Sequence, residues 1–229
     1  TVLSDGTWAL PCSLWSIKSE NRARHESLRP VYGAMMVVSE DEGESFSLRG
    51  TIDVAGIPGG PSFDEHHFLE LRDKRIACYI RAKTGVACSI STDQGLTWST
   101  PVLTGLPGSD SRFFLKRLQS GCILLVTNDS TAVREKLTAF LSEDEGQTWQ
   151  GKLLLDERKG VSYPDGIQTK EGSIYISYDY NRTKGGYLYL ARFTEEDILN
   201  GKIGHGSFLR REIDHSRPVP FSSDKSTAT

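Results

Sequence analysis

Ser39-Glu40-Asp41-Glu42-Gly43-Glu44-Ser45-Phe46, Ser91-Thr92-Asp93-Gln94-Gly95-Leu96-Thr97-Trp98 and Ser142-Glu143-Asp144-Glu145-Gly146-Gln147-Thr148-Trp149 are one phrase written three times. The pattern is S-x-D-x-G-x-T-W, with Ser-Phe replacing Thr-Trp in the first copy. A near-constant period of about fifty residues is the signature of a repeat architecture. Each part of the phrase has a turn-forming role. The Asp side chain accepts hydrogen bonds from backbone N–H groups about two residues on. The Gly supplies a positive φ. The closing aromatic ring locks the turn onto a neighbouring strand. These aspartates therefore read as structural, and the chemistry must be sought elsewhere.

Working outward, a short turn followed by a β-rich run recurs between the phrases. Asp5-Gly6, Asp73-Lys74, Ser120-Gly121 and Glu171-Gly172 precede runs such as Ile76-Ala77-Cys78-Tyr79-Ile80 and Ile123-Leu124-Leu125-Val126. Each unit then reads as four strands, A to D. The second has A at His67–Leu71, B at Arg75–Arg81, C at Gly85–Ile90 and D after Trp98. The third has A at Phe113–Leu118, B at Cys122–Thr127, C at Leu137–Leu141 and D after Trp149. The fourth has A around Asp165–Thr169, B at Ser173–Tyr178 and C at Tyr187–Phe193. There Thr194-Glu195-Glu196-Asp197 signals a helix N-cap with first-turn acids in place of the repeated turn. The first unit has no room for an A strand. Evenly spaced four-stranded units with little helix argue for an all-β propeller.

The composition is that of an ordinary globular chain: 229 residues, 37% hydrophobic, 25% charged, net charge −3. The negative balance argues against a nucleic-acid partner, and no apolar run is long enough for a membrane-spanning helix. Cys12, Cys78, Cys88 and Cys122 lie in apolar strand patterns without metal-ligand spacing and read as buried free thiols. The chain begins at Thr1 without an initiator Met or a visible signal peptide, which reads as a cut or incomplete N-terminus from which the compartment is not legible. Residues 1–215 are expected to form the propeller, and the Pro-, Ser- and Thr-rich residues 216–229 a disordered tail.

The three phrases resemble the Asp box of the sialidase (BNR-repeat) family, and the resemblance covers most of residues 3–200. It implies a six-bladed propeller, of which about four blades lie in this chain, as though it were the C-terminal two-thirds of the domain. It also implies a secreted or periplasmic setting, a sialylated or other acidic glycan as partner, and no cofactor or metal. It leaves the oligomeric state open.

Topology divides the residues between two faces. A–B and C–D turns share one face with the Asp boxes, while A-strand starts and B–C loops share the other. On the second face fall Asp64, Glu65, His66 and His67, then Arg81, Arg112, Arg134, Tyr163, Asp165 and Asp179–Arg182, together with a long loop holding Arg22, Arg24 and His25. That inventory suits sialic acid, whose anomeric carbon carries a carboxylate. A neutral Tyr deprotonated by a Glu is not repelled as a carboxylate nucleophile would be. Arg forks grip a carboxylate bidentately.

Residue by residue, Phe63-Asp64-Glu65 through Arg81 is similar to the family segment pairing the activating Glu with an Arg of the carboxylate-binding triad. Thr127-Asn128 through Arg134 is similar to the segment carrying another triad Arg, and Gly160-Val161-Ser162-Tyr163 to the nucleophile segment. The resemblance thus implies Tyr163 as nucleophile and Glu65 as its base, with Arg81 and Arg134 holding the carboxylate. Arg112, Arg182, His66 and Asp165 are further substrate-binding candidates. Each also has a plainer reading. Tyr163, held extended by Pro164, could simply pack on a neighbour, and Glu65 could be a solvated loop acid. The arginines could be structural ion pairs, a reading that leads for Arg112 and Arg182, and the histidines strand-edge polar residues. The family's first triad Arg and its acid/base Asp have no counterpart here. The expected activity is that of a retaining exo-α-sialidase. The alternatives are an enzyme for another acidic glycan, with His66 and His67 as base, or a non-catalytic propeller that binds glycans or proteins.

Overall fold

The computed structural model describes residues 1–13, 33–57 and 61–215, with side chains from residue 65 in the fourth strand. Among the described residues, fifteen strands fall into four antiparallel sheets, each a meander in sequence order. The first holds β1 (Trp8–Ser13), β2 (Ala34–Ser39) and β3 (Ser47–Ile52). The second holds β4 (Pro61–Glu70), β5 (Ile76–Ala82), β6 (Gly85–Ser91) and β7 (Val102–Leu103). The third holds β8 (Phe114–Arg117), β9 (Ile123–Asn128), β10 (Leu137–Ser142) and β11 (Gln150–Asp156). The fourth holds β12 (Val161–Gln168), β13 (Ile174–Tyr180), β14 (Tyr187–Phe193) and β15 (Phe208–His215). These are the four blades expected from the repeat. Their inner strands touch in succession, β1 to β4, β4 to β8 and β8 to β12.

The central strands of the second and third blades run apolar on both faces because those blades are buried on both sides. In β5, Ile76, Cys78 and Ile80 join the core shared with the first blade, whereas Ala77 and Tyr79 join the core shared with the third. In β9, Ile123 and Leu125 face the second blade, and Leu124 and Val126 the fourth. All seven residues of β5 and all six of β9 are buried. Period-2 alternation here separates two cores and not core from solvent.

The Asp boxes close as turns, with one correction to their wiring. The Asp carboxylate accepts from the residue four positions on, not two: Ser45, Thr97 and Thr148 donate both backbone N–H and hydroxyl to Asp41, Asp93 and Asp144. Each leading Ser donates to the Asp and accepts from the box Gly at 2.8 Å. The residue before each Gly also has positive φ: Glu42 at 57°, Gln94 at 60° and Glu145 at 62°. The aromatic lock holds for Trp98, whose Nε1–H donates to Gly95 O and whose ring packs on Phe68. It does not hold for Phe46, which is exposed.

Four further differences concern boundaries. Thr1 and Val2 pair with the start of β1 as a stub of an A strand. β12 begins four residues before its expected start, because a bulge between Ser162 and Asp165 absorbs the irregular stretch. β13 runs on to Tyr180, so Asp179 lies in the strand and not in the loop after it. β15 is a D strand that the highly charged Arg210–His215 does not announce. The predicted helix forms as α1 (Glu195–Asn200), with Thr194 as N-cap in a capping box with Asp197. All four cysteines are free thiols, but only Cys78 is fully buried. Residues 216–229 and the loop with Arg22, Arg24 and His25 lie outside the described residues. No described helix is long and apolar enough to cross a membrane.

Candidate active site

The blade ends opposite the Asp boxes bring most of the expected residues together. β5 starts at Ile76, paired with Ser91 of the second box, and ends at Ala82, one residue after Arg81 pairs with Val86. Arg81 is therefore at the far end, and its side chain is buried, with 1% exposed. Its Nη1 donates to Glu65 Oε2 at 2.6 Å and to Tyr163 Oη at 3.4 Å. Its Nε and Nη2 donate to Asp110 Oδ1 at 3.1 and 2.7 Å, and Nη2 also to the Asp110 carbonyl at 2.9 Å. Burial alone would disfavour the Arg81 charge, but the bonds to Glu65 and Asp110 more than offset it, so the guanidinium is held even more firmly protonated than usual.

Tyr163 is not extended, contrary to the expectation from Pro164. It sits in the bulge of β12 at φ 54°, in the left-handed region. A bulky residue there stores about 1–3 kcal/mol of strain and persists only where its surroundings hold it. Here they do. The Arg182 guanidinium lies 4.3 Å from the centre of the Tyr163 ring and that of Arg134 lies 5.3 Å away. Glu65 and Tyr163 share no hydrogen bond; Arg81 bridges them.

Arg134 donates from Nε and Nη2 to the Asp110 carbonyl at 3.1 and 2.9 Å. Its own carbonyl accepts from Gly160 N, whose carbonyl accepts from Asn181 N, so three loops are laced in series beside Tyr163. Buried Asn128 adds a second lace: it accepts from Ser109 Oγ and donates to the Glu135 and Val161 carbonyls. This scaffold presents the Asp110 loop and the Tyr163 strand to each other.

Arg112 pairs with Asp165 at 2.6 Å. Arg182 pairs with Asp179 at 3.5 Å, and Asp179 also accepts a short hydrogen bond from Ser162 Oγ. Burial raises the proton affinity of Asp179, with Ser162, Arg182 and Arg134 opposing. His66 is buried with Nε2 on the Met35 carbonyl. His67 places Nε2 on the Phe113 carbonyl, and burial, helped by Arg112, pushes its imidazole down to about 4. At neutral pH it is uncharged, so Nε2 carries the proton and Nδ1 a lone pair. A cleft of about 310 Å³ is lined by Pro11, Ser13, Glu65, His66, His67 and Arg112. Among the described residues no three His, Cys, Asp or Glu side chains are grouped to hold a metal ion.

Sequence reasoning missed Asp110 altogether. Its only signal is position, in the polar Gly108-Ser109-Asp110-Ser111 run just before the third A strand. Asp179 was placed on the face without a role.

The family profile described as a BNR repeat-like domain matches residues 1–176. The chain belongs to the BNR repeat-like domain family. All three Asp boxes lie within the matched span. No curated protein matches the sequence. Among solved structures, this BNR-repeat propeller is similar to a protein of unknown function from Dyadobacter fermentans, with TM-score 0.56 and 16% identity. The alignment covers 92% of this chain and 63% of that one, so the chain spans less than two thirds of that protein's length. An endo-arabinase from Bacteroides thetaiotaomicron aligns with TM-score 0.49 and 11% identity, over 80% of this chain and 73% of that one.

Proposed function

We propose that this BNR-repeat propeller acts as a retaining glycoside hydrolase of the sialidase kind, with an acidic glycan as substrate. The observation that carries the reading is that one buried guanidinium, Arg81, contacts both the Glu65 carboxylate and the Tyr163 phenol. Tyr163 Oη attacks the anomeric carbon and displaces the aglycone oxygen, which takes a proton supplied ultimately from solvent, while Glu65 takes the phenolic proton. Water then cleaves the tyrosyl–sugar bond, releasing the sugar with retained configuration as the proton on Glu65 returns to Tyr163. Arg81 steadies negative charge on both oxygens, while Arg134 and Arg182 fix the ring plane by cation–π contact. The left-handed backbone at Tyr163 supports a functional role, since such strain is retained where the residue's placement matters. The surrounding arginines are the residue type that binds a sugar carboxylate bidentately.

The test is hydrolysis of a fluorogenic α-sialoside. Turnover that falls at least about a thousandfold in Tyr163→Phe, with the melting temperature kept, supports the assignment. Turnover within a few-fold of wild type in Tyr163→Phe or Glu65→Gln removes it. Saturable glycan binding without turnover by the wild-type protein marks a binding propeller instead.

A further inference from the structure

We propose that Asp110 is the specificity-determining residue of this site: its side chain occupies the Arg81 fork that a sugar carboxylate would use, and an acidic substrate must displace it. The inference rests on the reading above for the class of substrate.

A guanidinium has five N–H donors and no acceptor. Among the described residues, Arg81 makes five such contacts, with Glu65, Tyr163 and Asp110. The paired donors Nε and Nη2, the edge that binds carboxylates bidentately, both point to Asp110 Oδ1. The same edge of Arg134 is spent on the Asp110 carbonyl. Charge gives the same answer. The arginines Arg81, Arg112, Arg134 and Arg182 are met by Glu65, Asp110, Asp165 and Asp179, so these residues together offer an incoming anion no net positive charge.

Of the two described carboxylates on Arg81, Asp110 is the better placed to leave. Glu65 is anchored in β4, with 26% of its side chain exposed, whereas Asp110 stands on a loop with 50% exposed. When the Asp110 side chain turns out, its carbonyl stays and continues to hold Arg81 Nη2 and both donors of Arg134. The arginines remain in place and only the fork is vacated. Substrate binding then exchanges one carboxylate on the fork for another, so affinity is the difference between two similar terms. A glycan without a carboxylate gains nothing from the exchange and leaves the fork shut.

The experiment is calorimetric titration with N-acetylneuraminic acid and, as control, its methyl ester, on the wild-type protein, Asp110→Asn and Asp110→Ala. Asp110→Ala is expected to bind the acid at least about tenfold more tightly than wild type, with Asp110→Asn between, because its amide oxygen still accepts but without charge. The methyl ester is expected to change by less than about twofold. With sialoside substrate KM should fall by a similar factor. If wild type binds or turns over the acid but Asp110→Ala binds it equally or more weakly, Asp110 serves to hold the arginines and the inference fails alone. If no form binds the acid and wild type hydrolyses no sialoside, the substrate class and the inference fall together. Should Asp110→Ala not fold, the isosteric Asp110→Asn carries the comparison.

Discussion

Glu65 and Arg81 are bound at 2.6 Å, and this pairing, not a Glu65–Tyr163 bond, ties the proposed base to the proposed nucleophile. The guanidinium is buried within a stack of blades, while its two carboxylate partners reach solvent. Replacing Arg81 leaves Glu65 and Asp110 facing each other as like charges with unfilled acceptors. Arg81→Met, which keeps the apolar stem, is expected to cost about 2–4 kcal/mol of stability. Arg81→Lys should recover only part of it, since an ammonium cannot serve Glu65 and the Asp110 fork together. Urea unfolding of the two variants checks this. A loss below about 1 kcal/mol in both would mean that the pairing contributes nothing net.

Asp179 offers a different kind of test. Burial raises its proton affinity, and it lies across the strand pair from Ser162, the residue before Tyr163. A carboxyl whose proton affinity is raised by burial is better suited to hand a proton to a departing sugar oxygen than one at its ordinary value. Asp179→Asn should therefore slow hydrolysis of natural sialosides, whose leaving alkoxide needs a proton, by about a hundredfold or more. With an aryl sialoside, whose phenolate leaves unaided, the loss should be less than about tenfold. Equal losses on both substrates would assign Asp179 to holding Ser162 and Arg182 in place.

The contrast between Asp93 and Asp110 shows what was legible in the sequence. Asp93 acts on Thr97, four residues away, so its role repeats in every copy and can be read from the text. Asp110 acts on Arg81, 29 residues away in the neighbouring blade, and no local pattern records that meeting. The strands of the second and third blades were readable because both faces are buried and the turns are short. β15 was not, because Arg210-Arg211-Glu212 presents a charged outer edge with no core pattern. Tyr163, Glu65, Arg81 and Arg134 were found through family order. That order predicts which residues meet; it does not predict that the arginines arrive already occupied.

The Asp boxes should govern resistance to acid. Hydroxyl and backbone donors of Ser45, Thr97 and Thr148 hold the carboxyls of Asp41, Asp93 and Asp144 down to about 2. Their unfolded-state value is near 4. Groups depressed on folding stabilise the fold above the unfolded value, and that stability is lost as pH falls through the folded one. The melting temperature should thus drop between about pH 4 and pH 2. Asp93→Asn and Asp144→Asn should melt lower at pH 7 and show a shallower fall in that window. An unchanged acid slope in the double variant would disprove the assignment.

His67 works in a separate, milder window. Its imidazole is neutral in the fold, down at about 4, because it is packed beside Phe113 with the Arg112 guanidinium near; His66 also opposes a charge there, while Asp165 and the Phe113 carbonyl favour one. The unfolded chain takes up the proton near pH 6.5. The folded state thus binds fewer protons than the unfolded one between these values, so stability is full above about pH 6.5 and declines as pH falls towards 4. The gap of about 2.5 units corresponds to about 3 kcal/mol at most. His67→Gln retains a donor for the Phe113 carbonyl and cannot take up a proton. The variant should be less dependent on pH across this range while keeping the acid slope below pH 4 that the Asp boxes produce. Equilibrium unfolding at pH 7.5, 5.5 and 4.5 separates the two. A His67→Gln protein whose stability falls as steeply as that of wild type from pH 7.5 to 4.5 would locate the titrating group elsewhere.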